Sequence, residues 1–366
     1  MTGTALAAVP LDLDRYRRFR VDFDALTDLV RELVAVEFAG VLPAPGGVVR
    51  RAELSARLGV VPAYTRLFDA LVDLLVREGY LRADGDHLIV APRLARARAT
   101  ALGDAHPEVA EYLPLLTACQ GHALEVLSGR SAGTDVLFPG GSMALVAELY
   151  TDNVQTGFFN RLAADRVRAH VHAFRRRFPH STPQVFEVGA GTGATTAFVL
   201  EALAEHADRL RYLYTDVGPG FLRMARKLHG RSYVDFARYN IEASPEPQGF
   251  EPHSMDVVLA SNVLHATHRI GDTLEQCRRL LKPGGILVVN EMTRRLDYNT
   301  VTFGLVEGWW RFAADDPRIP GSPLLSRAGW SAALTRAGFD GVELHGVPIL
   351  EEDEQVQSLI VAHRAR

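Results

Sequence analysis

The stretch Phe186 to Thr196 (Phe-Glu-Val-Gly-Ala-Gly-Thr-Gly-Ala-Thr-Thr) constrains the fold more than any other part of the chain. An apolar run at 185–188 predicts a buried strand, and a helical pattern begins at Ala197. The turn between them contains three glycines at alternate positions, Gly189, Gly191 and Gly193. Because glycine has no Cβ and accepts positive φ, such a turn lets the backbone approach a ligand closely. Dinucleotide-binding folds use a similar loop with another glycine spacing, so the glycines alone leave the ligand open.

Two carboxylates narrow the choice of ligand. Glu187 precedes the first glycine, and Asp216 closes the next predicted strand, Leu210 to Thr215. Acids at the carboxyl ends of neighbouring strands can accept hydrogen bonds from a ribose and hold a cationic ligand without binding phosphate. The pair therefore favours S-adenosylmethionine over a pyrophosphate cofactor.

Beyond residue 184 the predicted strands and helices alternate. Strands are predicted at 184–188, 210–215, 233–238, 255–260 and 286–290, and helices at 194–205, 219–229, 271–281 and 326–337. Strands near 341–349 and 357–363 close the pattern as an antiparallel hairpin at one edge. This alternation predicts an α/β, Rossmann-like, doubly wound parallel sheet with its ligands at the carboxyl ends of the strands. We expect residues 137–366 to form this catalytic domain.

The sequence pattern of residues 1–136 predicts a mostly helical domain. Residues 1–20 show no clear period, and we expect them to form a frayed or docking arm. Three helices, a hairpin with an Asp-Gly turn, and a helical stretch interrupted at 103–107 are then predicted, at 23–42, 51–58, 63–78, 80–90 and 94–131 respectively. The order of three helices and a hairpin is that of a winged helix.

The third helix of this pattern is poorly suited to DNA. It carries Asp69, Asp73 and Glu78, and only Arg66 and Arg77 oppose them. A recognition helix needs a net positive face, because phosphate contacts supply most of the binding energy. We therefore expect the domain to serve as a lid over a small-molecule site or as a dimerisation unit, without binding nucleic acid.

Composition limits the remaining possibilities. The chain has 366 residues, 47% of them hydrophobic, and a formal net charge of −4, which is typical of a globular protein of two domains. No signal-like apolar stretch is present, and no apolar run approaches the roughly 20 residues of a membrane span, so we expect a cytoplasmic protein. Cys119 and Cys277 lie far apart, and the histidines lack the usual spacing of metal ligands apart from two short pairs, so we expect neither a disulfide nor a metal site.

Five motifs follow one another in the order seen in class I S-adenosylmethionine-dependent methyltransferases. They are Glu-Val-Gly-Ala-Gly-Thr-Gly (187–193), Tyr-Thr-Asp-Val (214–217), Asn-Ile-Glu (240–242), Ser-Asn-Val-Leu-His-Ala-Thr (261–267) and Leu-Lys-Pro-Gly-Gly (281–285). Within this class the chain resembles the C-methyltransferase domains of polyketide synthases over roughly residues 110–340. The specific features are Asn-Val-Leu-His-Ala-Thr, Gly308-Trp309-Trp310 and Ser322-Pro323-Leu324-Leu325-Ser326 before Trp330. The sequence contains no ketosynthase, acyltransferase or carrier region, so we expect a free-standing relative.

The resemblance implies methyl transfer to the α-carbon of a β-ketoacyl thioester or a similar enolisable intermediate of polyketide biosynthesis. Such a reaction needs a base, and histidine titrates near neutral pH. His265 follows the strand at 255–260, and Glu291 follows the strand at 286–290, so both lie at the same edge of the predicted sheet. A carboxylate beside an imidazole fixes its tautomer and stabilises the imidazolium. The resemblance implies that these two residues are the catalytic pair.

The matched motifs also imply further ligand contacts. On the cofactor side these are Val217, Phe221, Asn240, Ile241 and Ser261. The family commonly has an aspartate where this chain has Asn240, whose amide oxygen can still accept a hydrogen bond from the adenine amino group, but without charge assistance. Candidate substrate contacts are Tyr150, Asn262, Trp309 and Trp310. The two tryptophans either roof an acyl pocket, face the sulfonium of the donor, or are simply buried.

Two other functions stay open from the sequence. One is an O- or N-methyltransferase of small secondary metabolites, since the amino-terminal helices suit such enzymes. The other is a non-catalytic DNA-binding regulator, which the acids of the third helix oppose. The acyl group could be held by a carrier protein, by coenzyme A or by neither, and a homodimer is possible.

Overall fold

The computed structural model describes residues 9–97, 102, 105–150 and 153–365. Its amino-terminal part contains seven helices and a small antiparallel sheet whose strands are in the order β1-β3-β2. The strands are β1 (Val48–Arg50), β2 (Leu81–Asp84) and β3 (His87–Val90), and the helices are α1 (Leu13–Ala39), α2 (Arg51–Leu58), α3 (Thr65–Arg77), α4 (Leu113–Cys119), α5 (Ala123–Leu127), α6 (Gly133–Leu137) and α7 (Ala144–Tyr150). The first three predicted helices and the hairpin are present in their predicted order, whereas β1 was not predicted.

The first helix begins earlier than the sequence pattern indicated. Asp12 accepts a hydrogen bond from the backbone N–H of Arg15 at 2.9 Å and so caps α1 at its amino end. Tyr16 and Phe19 are buried, and they extend the apolar stripe that continues at Leu26. Of the two alternatives expected for residues 1–20, a frayed or a docking arm, the frayed one was wrong for the described residues from Leu13 onward, because these aromatic residues pack into the core.

The prediction of a helical stretch over 94–131, broken at 103–107, was also wrong. The described residues form only short segments there, a single 3-10 turn at Leu94–Arg96, another at Pro107–Tyr112, and then α4 and α5. Gly121, with φ of 78°, separates the last two, since a left-handed residue cannot continue a helix. Part of the predicted break at 103–107 lies outside the described residues.

The arginine side chains of helix α3 contact other parts of the protein. Arg66 donates to the carbonyls of Trp310 and Phe312, and Arg77 pairs with Asp297 at 2.6 Å. Two of the three acids singled out from the sequence, Asp69 and Asp73, both accept from Arg51. The arginines that would have served phosphate contacts thus bind protein groups instead. The winged-helix likeness stays a prediction.

The carboxy-terminal part is built on a seven-stranded sheet in the order β6-β5-β4-β7-β8-β10-β9. All neighbours are parallel except β10, which is antiparallel to both β8 and β9. The strands are β4 (Gln184–Val188), β5 (Arg211–Asp216), β6 (Val234–Arg238), β7 (Met255–Ser261), β8 (Leu281–Met292), β9 (Phe339–His345) and β10 (Gln357–Arg364). The predicted Rossmann-like sheet is confirmed, with the final two strands at one edge.

Helices cover both faces of this sheet. They are α8 (Val154–Arg177), α9 (Ala194–Ala202), α10 (Pro219–His229), α11 (Ile270–Leu280) and α13 (Arg327–Arg336), whereas α12 (Asp297–Val301) packs against α1, α3 and α4. Val257 and Leu259 of β7 belong to the core beneath α8 and the amino-terminal helices, whereas Val258 and Ala260 face α11 and α13. Such burial on both faces explains why residues 257–260 of β7 form a continuous apolar run. None of the helices in the described part of the chain combines the length and hydrophobicity needed to cross a bilayer.

Candidate active site

A short polar contact at the carboxyl edge of the sheet joins His265 to Glu291. Nδ1 of His265 lies 2.6 Å from Oε2 of Glu291, which is completely buried in β8. The other carboxylate oxygen accepts hydrogen bonds from the backbone N–H groups of Val263, Leu264 and His265. Glu291 therefore fixes both the backbone turn that carries His265 and the orientation of its ring. With the Nδ1 proton held by the carboxylate, the lone pair of Nε2 is left to accept a proton.

A buried ion pair holds the same turn. The guanidinium of Arg318 donates to the carbonyl oxygens of His265 and Thr267 at 3.1 Å each, and to that of Pro323 at 2.7 Å. It also pairs with Asp316 at 2.6 Å, and both side chains are less than a tenth exposed. Burial lowers the pKa of Arg318. The segment that resembled the family motif at 322–326 is thus tied to the backbone of His265.

The two tryptophans have different environments. Trp309 lies edge-on to the His265 ring at 5.2 Å between centroids and is stacked against Phe303 at 6.0 Å. Trp310 is buried, and its Nε1 donates to the carbonyl of Gly304 at 2.7 Å. The structure therefore places Trp309 beside the candidate base, and Trp310 is the one that is simply buried.

Asn262 combines an unusual backbone with an unpartnered polar atom. Its φ is 48°, in the left-handed region that asparagine tolerates better than most residues. Its backbone N–H donates to the carbonyl of Asn290 at 2.8 Å, and its Oδ1 is buried without a hydrogen-bond partner. A strained residue with an unsatisfied amide group at the end of β7 is typical of a ligand contact.

Asn262 lines a cavity of about 410 Å³. Tyr150 and Phe303 line the same cavity, as do three aromatic residues of α1, Tyr16, Phe19 and Phe23. Arginines line it as well, among them Arg294 and Arg295 just beyond β8. The sequence predicted Tyr150 and Asn262 here but neither the α1 residues nor the arginines. An aromatic spacing of three and four residues along α1 was the available signal for the former.

A buried chain of hydrogen bonds connects α1 to the glycine turn. The hydroxyl of Tyr16 donates to Gln155, and the following donations run through Gln357 and Asn290 to the Ser261 hydroxyl. Thr195, at the start of α9 just after the glycines, lies 2.9 Å from Ser261 and continues the chain to Asn160 of α8. Ser261, predicted as a cofactor contact, thus has internal partners.

The glycine turn has the shape of a cradle. Gly189 and Gly193 have φ of 56° and 77°, and an added Cβ would lie 2.3 Å from Val263 and 2.4 Å from His229 respectively. The same atom on Gly191, where φ is 58°, would have nothing closer than 3.9 Å. Gly191 therefore faces open space, as the closest approach of a loop to a ligand requires.

Asp216 is placed beside this open position. Its Oδ2 accepts from the backbone N–H of Gly191 at 3.0 Å and its Oδ1 from that of Gly218 at 2.7 Å, and burial raises its pKa. Each oxygen keeps a further lone pair for a ribose hydroxyl. Val217 follows with 52% of its surface exposed, and Phe221 packs beside Gly218. A carboxylate next to an exposed apolar surface suits the ribose and adenine of S-adenosylmethionine, so the residues fit this cofactor.

The remaining predicted cofactor residues are buried or hydrogen-bonded to other protein groups. Asn240 is exposed, and its Oδ1 accepts from the backbone N–H of Glu242 at 3.0 Å, while Ile241 is buried. Glu187 is 1% exposed, and its Oε2 accepts from the hydroxyls of Thr196 and Tyr212 at 2.7 and 2.5 Å. These bonds join β4 to α9 and β5. Contact of these three residues with the cofactor stays a prediction.

Burial raises the pKa of Glu187 to about 7, against the opposing effect of its two hydroxyl donors. Because the folded protein holds this proton more tightly than the unfolded chain, the unfolding free energy should decrease by about 3 kcal/mol as the pH rises from about 4.5 to about 7.5. Glu187→Gln removes this titration and keeps an acceptor for the hydroxyls. Relative to wild type, it should therefore gain that amount over the same pH range.

Urea unfolding at both pH values measures this difference. Glu201→Gln, an exposed change on α9, is the matched control and should follow wild type. Parallel pH profiles for wild type and Glu187→Gln would show that the buried carboxyl does not take up the proton on folding.

One group of potential metal ligands lies away from this site. Among the described residues, His172, Glu205 and His206 have ligand atoms within 4.8 Å of one another. Nδ1 of His206 lies 3.1 Å from a guanidinium nitrogen of Arg175, so it accepts, and the proton belongs to Nε2. That tautomer opposes metal binding at Nε2.

Comparison with known proteins agrees with the geometry. A family described as "Methyltransferase domain" matches residues 186–287. The crystal structure of the DszA carbon methyltransferase is 36% identical, covers 98% of this chain and 95% of its own, and superposes with a TM-score of 0.84. That of the CurJ carbon methyltransferase is 30% identical, covers 97% of each chain and gives 0.83. Polyketide synthase ThaQ of Burkholderia thailandensis is 37% identical over 315 residues, which is 83% of this chain and 15% of ThaQ.

The fold and the site define a class I methyltransferase that uses S-adenosylmethionine. More narrowly, the chain belongs to the carbon methyltransferase family of polyketide synthases. It spans only a small part of the curated synthases that it matches, 15% of ThaQ and 9% of the Bacillus subtilis synthase PksR.

Proposed function

We propose that the protein methylates the α-carbon of a β-ketoacyl thioester, with His265 as the base and Glu291 as the residue that orients it. The observation that carries this proposal is the 2.6 Å contact between Nδ1 of His265 and the buried carboxylate of Glu291. An α-proton between two carbonyl groups is acidic enough for an imidazole to remove, and a carbon nucleophile results.

The proton moves from the α-carbon to Nε2 of His265, and the electron pair of the broken C–H bond delocalises into the neighbouring carbonyls. Glu291 stabilises the imidazolium that forms, because its carboxylate already holds the Nδ1 proton. S-adenosylmethionine, when bound, would supply the electrophilic methyl group that this carbon nucleophile takes from the sulfonium sulfur. Asp216, Val217 and the backbone of Gly191 would hold this cofactor.

Tyr150 and Asn262 are placed to bind the acceptor's carbonyl oxygens. Burial, together with the charge of Glu291, raises the pKa of Tyr150, so its hydroxyl stays a neutral donor at working pH. The amide of Asn262 has no protein partner for its buried terminal oxygen, and rotation of the amide presents its N–H₂ donors to the same space. Two donors at a developing enolate oxygen would lower the barrier to proton removal.

Helix α1 supports a lid role for residues 1–136, because its aromatic residues form one wall of the cavity. The proposal also includes a domain boundary at residue 137, a homodimer, presentation of the acyl group by a carrier protein, and a cytoplasmic location. Each is an expectation from the sequence or from the family.

The direct test is to incubate the protein with S-adenosylmethionine and a β-ketoacyl pantetheine thioester, and to determine the product by mass spectrometry and ¹³C NMR. We expect the mass of one methyl group to be gained at the α-carbon. Methylation confined to oxygen, or turnover of phenols without turnover of thioesters, would reject the carbon acceptor and favour an O-methyltransferase.

A further inference from the structure

The cavity wall carries more positive than negative charge. Five arginines line it (Arg20, Arg31, Arg77, Arg294 and Arg295) against three acids (Asp24, Asp297 and Glu354), although the whole chain has a net charge of −4. Arg20 pairs with Glu354 at 2.9 Å, and Arg31 and Arg77 share Asp297 at 2.9 and 2.6 Å. The acids that form ion pairs here are therefore occupied by the first three arginines.

Neither of the last two arginines forms a hydrogen-bonded ion pair with an acid in the part of the chain that the structure describes. Arg294 is exposed, and its charge acts on Glu354 without a hydrogen bond. Arg295 is half-buried, and its guanidinium donates to the carbonyl of Pro320 at 3.3 Å. Burial and, after it, the neighbouring charge of Arg77 lower the pKa of Arg295, against the opposing charges of Asp297 and Asp73. The cavity wall thus holds two guanidinium groups without a hydrogen-bonded acid partner.

The arginines are within reach of a ligand that extends from the reacting end. Arg294 lies three residues beyond Glu291, so its guanidinium is no more than roughly 17 Å from the Cα of Glu291, with about 11 Å of backbone and 6 Å of side chain. A phosphopantetheine arm can extend about 16 Å from its thioester sulfur to its phosphorus, at about 1.25 Å per bond. The arm of an acyl group at His265 is therefore long enough to bring its phosphate to the two arginines.

We propose that Arg294 and Arg295 form the binding site for the phosphate of a phosphopantetheine thioester. The inference rests on the proposed function, because it takes an acyl thioester to be the acceptor. Guanidinium groups match phosphate oxygens in geometry as well as charge. The same phosphate occurs in coenzyme A and in the arm of a carrier protein, and both sources present it at the same distance from the acyl group.

The experiment compares kcat/KM for one β-ketoacyl group on pantetheine, on phosphopantetheine, on coenzyme A and on a polyketide-synthase carrier protein. Wild type should prefer phosphopantetheine over pantetheine by about tenfold or more, mainly through KM. In the variant R294A/R295A this ratio should fall to near one, because the phosphopantetheine thioester loses its advantage in KM. R294K/R295K should keep part of the preference, because the charge remains.

The control R57A/R130A removes the same formal charge from two exposed arginines outside the cavity and should keep the wild-type ratio. Comparing the coenzyme A thioester with the carrier-protein thioester shows which source of the phosphate the arginines recognise. The recognised thioester should lose the most kcat/KM in R294A/R295A. Equal turnover of pantetheine and phosphopantetheine thioesters by wild type would overturn the phosphate site while leaving the proposed function intact.

If no thioester is methylated, calorimetric titration still tests the phosphate site independently of the proposed function. Free phosphopantetheine should bind wild type at least tenfold more tightly than pantetheine does, and R294A/R295A should abolish the difference. Equal affinities of wild type for the two compounds would overturn the inference regardless of catalysis.

Discussion

Replacing His265 by alanine should lower the methylation rate constant about 10³-fold and leave the affinity for S-adenosylmethionine within about twofold. The imidazole is the only side chain within the described residues with a hydrogen bond to Glu291, and the cofactor residues Gly191 and Asp216 lie on other loops. Single-turnover kinetics measure the chemical step, and calorimetry measures cofactor binding. Added imidazole should restore part of the rate, because the deletion leaves space where the ring was.

Two further variants sharpen this result. Glu291→Gln should lose about 10²-fold or more, since the neutral amide no longer stabilises an imidazolium. His268→Ala is the matched control in the same loop, because His268 is exposed and its Nδ1 bonds to the carbonyl of Arg311. It should stay near wild-type rate. Strong loss of cofactor affinity in His265→Ala would instead assign His265 to the donor site.

Replacing Arg318 by methionine should reduce the unfolding free energy by about 3–5 kcal/mol, the usual loss when one partner of a buried ion pair is removed. Three carbonyls lose a donor, and Asp316 is left 7% exposed without its cation. The turnover number should also fall, since the backbone of His265 loses its anchor. Urea denaturation and steady-state kinetics of the same preparation measure both effects.

The control is Arg278→Met, which removes a half-exposed cation paired with Glu275 one turn away on α11. We expect less than about 1 kcal/mol there. The double variant Arg318→Met with Asp316→Asn should be less destabilised than Arg318→Met alone, because no buried charge is left unpaired. Similar losses for Arg318→Met and Arg278→Met would contradict the role given to the buried pair.

The parts of the fold predicted from sequence were those with local signals. The glycine turn, the apolar strands and the spacing of Asp216, His265 and Glu291 relative to strand ends depend on neighbours in the chain, and parallel topology then places those ends together. The contact between His265 and Glu291 follows from adjacent strands β7 and β8. These features needed no knowledge of distant packing.

The cavity could not be predicted in the same way. Tyr16 and Phe19 reach it only because α1 packs against a distant part of the chain, and Arg294 and Arg295 resemble ordinary solvent-exposed cations in sequence. Trp309 and Trp310 are adjacent in sequence but differ in environment, because the indole of one bonds to Gly304 and that of the other faces His265. In each of these examples, tertiary contacts set the environment of the side chain.

The mixed origin of the cavity wall limits how this enzyme can be recombined with its relatives. A chimera that exchanged only the Rossmann-like sheet would transplant Gly191 and Asp216 with His265 and Glu291, and would leave the aromatic residues of α1 from the other parent. The hydrogen-bond relay from Tyr16 through Gln155 to Gln357 crosses the same junction. Engineers who wish to move acyl selectivity between these proteins should therefore exchange α1, the residues around Tyr150 and the segment 292–299 as one unit.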